Sequence, residues 1–246
     1  MIIAVANQKG GQGKTTTAQA LATGAAKIGR KVLTIDADPQ GNLSFSMRAD
    51  TTAQGTYELI TGAAKAKQLI QHTQQGDVIA ASNLLVTADT KFTDDARTVA
   101  LRVAINALRN SYDHIIIDCP PSLGTLLVNA LVAADEVVIP LTADMYSLQG
   151  LYQLMRSVQY AQGLNKGLKV GGVLFVKHST RTVLARDLTQ IIKQACDEMG
   201  IPVYNTSIRE GVAIREAQTQ RQSIFDTAPK SKPAQDYKQL IEEMGL

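Results

Sequence analysis

Lys9 and Lys14 stand five residues apart in NQKGGQGKTTT (7–17), with Gly10, Gly11 and Gly13 between them and Thr15 and Thr16 after. Glycines let a backbone turn its amides toward an anion, an ammonium neutralises phosphate charge, and a hydroxyl is a hard oxygen ligand for Mg²⁺. The run departs from the phosphate-loop pattern G-x-x-x-x-G-K-[ST] in carrying Gln8 where the first glycine belongs. Asp36 and Asp38 sit two apart in LTIDADPQGN, hence on one side of an extended chain, and Asp118 closes HIIIDCPPS. Together these residues suit a bound nucleoside triphosphate: Lys14 spanning the β- and γ-phosphates, Thr15 reaching Mg²⁺, and carboxylates facing the metal or its water. Each has a plainer reading, a strand-to-helix turn with surface lysines for the loop and a turn or helix cap for each acid. Their occurrence together favours the nucleotide. Lys9 is surplus to the pattern.

Such groups must hang from strand ends. IIAVAN (2–7), KVLTID (31–36), DVIAA (77–81), HIIIDC (114–119), EVVIPL (136–141) and KVGGVLFV (169–176) read as strands, with IPVYNT (201–206) as an edge. Helical patterns fall at 14–29, 93–110, 123–134, 147–162, 182–199 and 233–244, while 40–75 is irregular. Apolar strands with little alternation imply a sheet covered on both sides. The expectation is an α/β fold, a doubly wound, mostly parallel β-sheet with helices on both faces, of the phosphate-loop NTPase type. No linker or repeat divides the chain, so residues 1–246 are expected to form a single domain. The loop KGGQGKTT then follows a strand and opens a helix, the context in which backbone N–H groups and a helix N-terminus converge on one anion.

Composition narrows the alternatives. At 246 residues and 45% hydrophobic, the chain can bury one sizeable core. A formal net charge of +3 means that affinity for a polyanion must come from a local patch. Cys119 and Cys196 lie far apart with no C-x-x-C or His cluster, which argues for a reducing cytoplasm and against a disulfide or metal framework. No apolar run reaches the roughly 18–20 residues of a membrane helix.

KGGQGKTTT, DADPQGN, IIIDCPPSLG, NALVAADEVVIPL, SLQGL, IREA and PKSKPAQDY occur in that order along nearly the whole chain. In this the sequence resembles the ParA/Soj branch of the deviant Walker A ATPases. The resemblance implies a slow, partner-stimulated, Mg²⁺-dependent ATPase that partitions plasmid or chromosomal DNA. ATP would be bound by Lys9, Gly10, Gly11, Gln12, Gly13, Lys14, Thr15 and Thr16, with Mg²⁺ at Thr15, Asp38 and Asp118. Asp38 matches the residue that positions the attacking water, and Asp118 the Walker B acid. Lys9 matches a lysine that crosses a homodimer interface to the partner's phosphates, so that two ATP molecules are sandwiched. Physically, a cation delivered from each side offsets the cost of burying several phosphate charges and neutralises charge developing in phosphoryl transfer. Gln12 departs from the family, which has a small apolar residue there; its side chain is expected near the nucleotide or the partner subunit.

The resemblance also implies binding of the ATP dimer to double-stranded DNA without sequence preference, a ParB-like or other centromere- or cargo-binding adaptor, no membrane, and a cytoplasmic, nucleoid-associated location. Between 177 and 232 nine Lys/Arg face six acids, a local excess of three that a dimer would double. Arg181, Arg209, Arg215 and Arg221 are the expected contacts, although Arg215 and Glu216 could pair within a helix. Nothing resembles a recognition helix, and a first strand at the very start leaves no room for an N-terminal one, so autorepression is not expected. Rivals are separable. A MinD-like membrane cycle needs a basic amphipathic C-terminal helix, whereas DYKQLIEEMGL is acidic and short. An iron–sulfur carrier needs cysteines aligned across a dimer, which Cys119 and Cys196 do not suggest. The same ATP cycle positioning a protein cargo, or a scaffold with negligible hydrolysis, stays as the alternative.

Overall fold

The computed structural model describes residues 1–91, 98–179 and 182–246. Among them eight strands, β1 (Ile2–Val5), β2 (Val32–Asp36), β3 (Gln71–Thr73), β4 (Gly76–Ile79), β5 (His114–Asp118), β6 (Glu136–Leu141), β7 (Lys169–His178) and β8 (Ile208–Arg209), form one sheet in the order β3-β4-β2-β5-β1-β6-β7-β8. All pairs are parallel except β3 with β4. Parallel pairing needs crossovers, and helices lie between the strands: α1 (Lys14–Lys27), α2 (Asn42–Ser46), α3 (Thr56–Thr61), α4 (Ala66–Leu69), α5 (Ala88–Lys91), α6 (Ala100–Asn106), α7 (Thr125–Ala133), α8 (Met145–Leu164) and α9 (Val183–Glu198); α10 (Val212–Gln220), α11 (Ile224–Thr227) and α12 (Lys232–Glu243) follow the last strand.

Strand geometry sends alternate side chains to opposite faces, and here both faces are covered. Ile2, Ala4, Leu33, Ile35, Ile115 and Ile117 join one apolar cluster with residues of α3, α6, α7 and α8. Ile3, Val5, Ile116, Val138 and Leu174 join another with α1, α11 and α12. Full burial of each such Ile, Leu or Val contributes about 1.5–3 kcal/mol. Gly24 lets α1 approach that second layer closely, because a Cβ there would run into Ile241 and Phe225.

The doubly wound reading is borne out, and the boundaries differ where local patterns mislead. IPVYNT does not form the edge strand: Val203 makes an isolated bridge to Val173, and the strand lies later, at β8. Pro202 has no N–H to give a ladder, and the N–H groups of Asn205 and Thr206 go instead to the Glu243 carboxylate at 2.7 and 2.9 Å. Of the helix expected over 93–110, residues 92–97 lie outside the described residues and α6 covers Ala100–Asn106. The irregular 40–75 contains α2, α3, α4 and β3, and β3 forms an antiparallel hairpin with β4. Helices α10 and α11 were not anticipated.

Candidate nucleotide site

Strands β2, β5, β1, β6 and β7 are successive neighbours, and their carboxyl ends carry the site. Such ends, where strand order reverses, are where open α/β sheets hold ligands. After β1 the chain turns through Gly11 and Gly13, both at φ 74°, a left-handed conformation that only glycine adopts without cost. Gly13 caps the N-terminus of α1, so the first free amides of a 14-residue helix point into the loop. Gly10 has open space where a Cβ would stand, so nothing within the chain requires a glycine there.

Lys14 is buried, and its ammonium lies 3.5 Å from the Lys9 carbonyl oxygen. Lys9 itself points elsewhere. Its Nζ donates to both Asp144 oxygens at 3.0 Å and lies 5.8 Å from the centre of the Tyr146 ring. Asp144 caps α8 by accepting from the Ser147 N–H at 2.9 Å. Burial alone would raise the Asp144 carboxyl, but hydrogen bonds from Thr142, Lys9 and Ser147 outweigh it and hold the group down at about 2. The two lysines are therefore sorted: Lys14 fills the cradle, and Lys9 sits at its rim on a surface carboxylate.

Gln12 lines the loop's cavity and is also tied into the fold. Its side chain is buried and turned inward, where Oε1 accepts from the Thr142 N–H at 2.5 Å and the Thr142 hydroxyl at 3.0 Å. An amide carbonyl in that place ties the phosphate loop to the β6–α8 loop that also holds Lys9. A small apolar residue could make neither bond.

Register puts Asp36 opposite Asp118 on adjacent strands, and Asp118 opposite Val5 at the end of β1. The three acids take different roles. Asp36 is fully buried and structural: it accepts from the Ser44 N–H at 2.8 Å, the Ser44 hydroxyl at 2.6 Å and the Asp38 N–H at 3.2 Å, pinning α2 beneath the loop. Burial pushes its carboxyl up to about 6, with the Ser44 bonds opposing. Asp118 is fully buried and neither oxygen has a hydrogen-bond partner of good geometry. Burial first, then the Asp36 charge, drive it well above the carboxylate range, while Thr15 and Lys14 act against them. An unpartnered buried carboxylate beside a threonine hydroxyl fits a divalent cation that completes its shell with phosphate oxygens and water. Among the described residues no three His, Cys, Asp or Glu cluster as a metal cage. Asp38 is buried at the loop mouth, where Oδ1 accepts from the Gln40 N–H at 3.0 Å.

The phosphate loop from Gly10 to Thr16 and Asp38 line a cavity of about 710 Å³, large enough for a nucleotide, continued by Phe45, Lys177, Glu210, Gly211, Ile214, Arg215 and Gln218. Gln218 donates to the Thr16 hydroxyl at 2.9 Å, joining α10 to α1 across it. The sequence reading missed Asp144, Thr142, Lys177 and Gln218 as site residues. Their signal was position after a strand or on an unread helix, not residue type.

The four arginines expected on DNA are differently placed. Arg181 lies outside the described residues. Arg209 is bound to the buried Asp236 carboxylate through Nε and Nη2. Arg221 stacks 4.2 Å above Phe45 and donates to its carbonyl at 2.7 Å. Arg215 is exposed at the cavity edge.

Residues 1–170 match a family model described as an AAA domain. The sporulation initiation inhibitor protein Soj of Bacillus subtilis (strain 168) is 39% identical, the alignment covering 99% of this chain and 98% of Soj. The chromosome partitioning protein ParA of Caulobacter vibrioides (strain NA1000 / CB15N) is 37% identical over 99% of this chain and 93% of its own. Among solved structures, cobyrinic acid a,c-diamide synthase from Mycobacterium smegmatis with bound ATP analog and magnesium superposes with TM-score 0.84 at 31% identity, covering 98% of this chain and 92% of that one. The septum site-determining protein MinD from Pyrococcus horikoshii OT3, complexed with Mg-ADP, gives TM-score 0.78 at 26% identity, covering 98% and 94%. Among the described residues no helix is long and apolar enough to cross a membrane. The names of these relatives differ while their nucleotide fold is shared, and near-complete alignment with Soj and ParA decides among them: the chain belongs to the ParA/Soj family of chromosome-partitioning ATPases.

Proposed function

We propose that this ATPase runs a dimerisation cycle: Mg²⁺ and ATP bring two copies together, the pair holds double-stranded DNA without sequence preference, and a cargo-bound, ParB-like adaptor triggers hydrolysis and release. The amides of Gly10 to Thr16 and the Lys14 ammonium hold the phosphates. Thr15 and Asp118 hold Mg²⁺, with Asp38 nearby; the metal supplies charge neutralisation on the transferring phosphoryl group. Asp38, which lines the same cavity as the loop, orients the attacking water.

The observation that carries this reading is the sorting of the two lysines. Lys9 is kept out of its own cradle and half-exposed at the rim, where a second subunit's phosphates can take it from Asp144. An open Gly10 beside it leaves room for that approach. Light scattering with ATP, ADP or no nucleotide tests the cycle. ATP with Mg²⁺ is expected to give dimers and ADP monomers; Lys14→Ala should lose nucleotide binding, and Lys9→Ala should bind ATP without dimerising. Asp38→Ala should hold the ATP dimer while turnover falls well over tenfold. Normal dimerisation of Lys9→Ala would sink the trans role, and parental turnover of Asp38→Ala would mean that another group holds the water.

A further inference from the structure

Lys177 occupies a conformation that lysine does not choose freely. It lies at the bulge of β7, between the register pairs Val176 with Ile208 and His178 with Arg209, and its φ is 50°. A non-glycine residue in the left-handed region costs of the order of 1 kcal/mol and persists where the surrounding structure enforces it. Bulges re-aim side chains, and this one sends the exposed Lys177 side chain across to the phosphate loop, where Nζ donates to the Gly11 carbonyl at 2.8 Å. The strand end and the loop are in contact just beneath: the Val176 methyl stands 3.5 Å from where a Gly13 Cβ would be.

Tethered at both ends, by a strained backbone and by Gly11, Lys177 is exposed yet lines the cavity, so its methylenes lie along the cavity's open side. That side belongs to the part of the cavity beyond the phosphate cradle, shared with Gly211, Ile214 and Gln218. Once the phosphates occupy the Gly10–Thr16 amides, the nucleoside must run out along these residues. A purine ring needs apolar surface on its faces, and the methylenes of a tethered lysine can provide it.

We infer that Lys177 is a nucleoside-positioning residue: its stem packs against the base or ribose of the bound nucleotide, and its ammonium serves to hold that stem against the loop. The assignment rests on the nucleotide reading of the cavity and extends it to a residue outside the phosphate-binding motif. Lys177→Gly removes the stem and suits the positive φ, so the variant keeps the fold; Lys177→Met keeps an apolar chain and removes the charge. Calorimetric titration with Mg²⁺ and either ATP, ADP or inorganic tripolyphosphate separates the contributions. Loss of about three buried methylenes should weaken ATP and ADP by roughly tenfold or more in Lys177→Gly. Tripolyphosphate, which has no nucleoside, should change less than about threefold, and Lys177→Met should stay within about threefold of the parent for all ligands. Equal losses for ATP and tripolyphosphate would show that the residue acts on the phosphates alone and overturn the inference, as would unchanged ATP affinity in Lys177→Gly. A parent chain that binds no ATP would instead remove the nucleotide reading itself.

Discussion

At the scale of single residues, the site works by giving like side chains unlike surroundings. Two lysines five residues apart differ because one is buried in a glycine loop and the other meets a carboxylate across two strands. Asp144 should therefore govern how readily Lys9 is given up. Its folded-state carboxyl is lowered, so the ion pair is present above the ordinary carboxylate range and is lost only as pH falls toward about 2. Lowering pH from 8 to 5 is thus expected to leave the pair intact, whereas Asp144→Asn keeps a helix-capping side chain and removes the charge. That variant should dimerise with ATP at several-fold lower protein concentration than the parent, measured by light scattering across a dilution series. A half-exposed pair contributes on the order of 1 kcal/mol at most, so a larger gain would point to movement of α8 as well. The phosphate loop, Asp38 and Asp118 were legible in the sequence because each motif is local. Asp144 and the inward turn of Gln12 were not, since both depend on β6 lying beside β1, which no short window of residues states.

At the scale of elements, close approach of one helix to another depends on small residues. Gly24, in the middle of α1, carries a conformational cost in a helix that the packing of Ile241 and Phe225 against it repays. Gly24→Ala raises helix propensity by about 1 kcal/mol, yet the added methyl overlaps two side chains of α11 and α12, an overpacking penalty of about 1–3 kcal/mol. The net expectation is a loss of about 1–2 kcal/mol in denaturant unfolding at unchanged slope. A variant as stable as the parent would mean that α11 and α12 shift freely on α1. Most strands and long helices were readable because parallel, two-sided burial leaves unbroken apolar runs. The failures have physical causes: Pro202 removes a ladder donor, Glu243 draws off the N–H groups of Asn205 and Thr206, and the polar β3 has too little apolar content to register.

At the scale of the whole molecule, the proposed DNA surface must be built by two copies, because one carries a small excess of positive charge. Binding through phosphates should weaken steeply with salt and differ little among unrelated duplexes. Arg215 is exposed at the cavity edge, and its replacement by Ala should shallow the logarithmic salt slope of the ATP form by up to about one unit. Arg209→Ala should instead lower the melting temperature, because Asp236 is buried and loses its cation, and should leave the slope nearer the parent's. Titration of a labelled random duplex at several salt concentrations checks both, and equal affinity in the ATP and ADP states would remove the switch. The placement of every chemical group on one rim of the sheet has a further meaning for descent. Substitutions at the amino ends of the strands or on the outer helices answer to packing and to partners, not to phosphoryl transfer. On the proposed cycle, a lineage could exchange its adaptor, and with it the passenger it moves, by drift on surfaces the nucleotide never meets, while the clock that times each step is inherited unchanged.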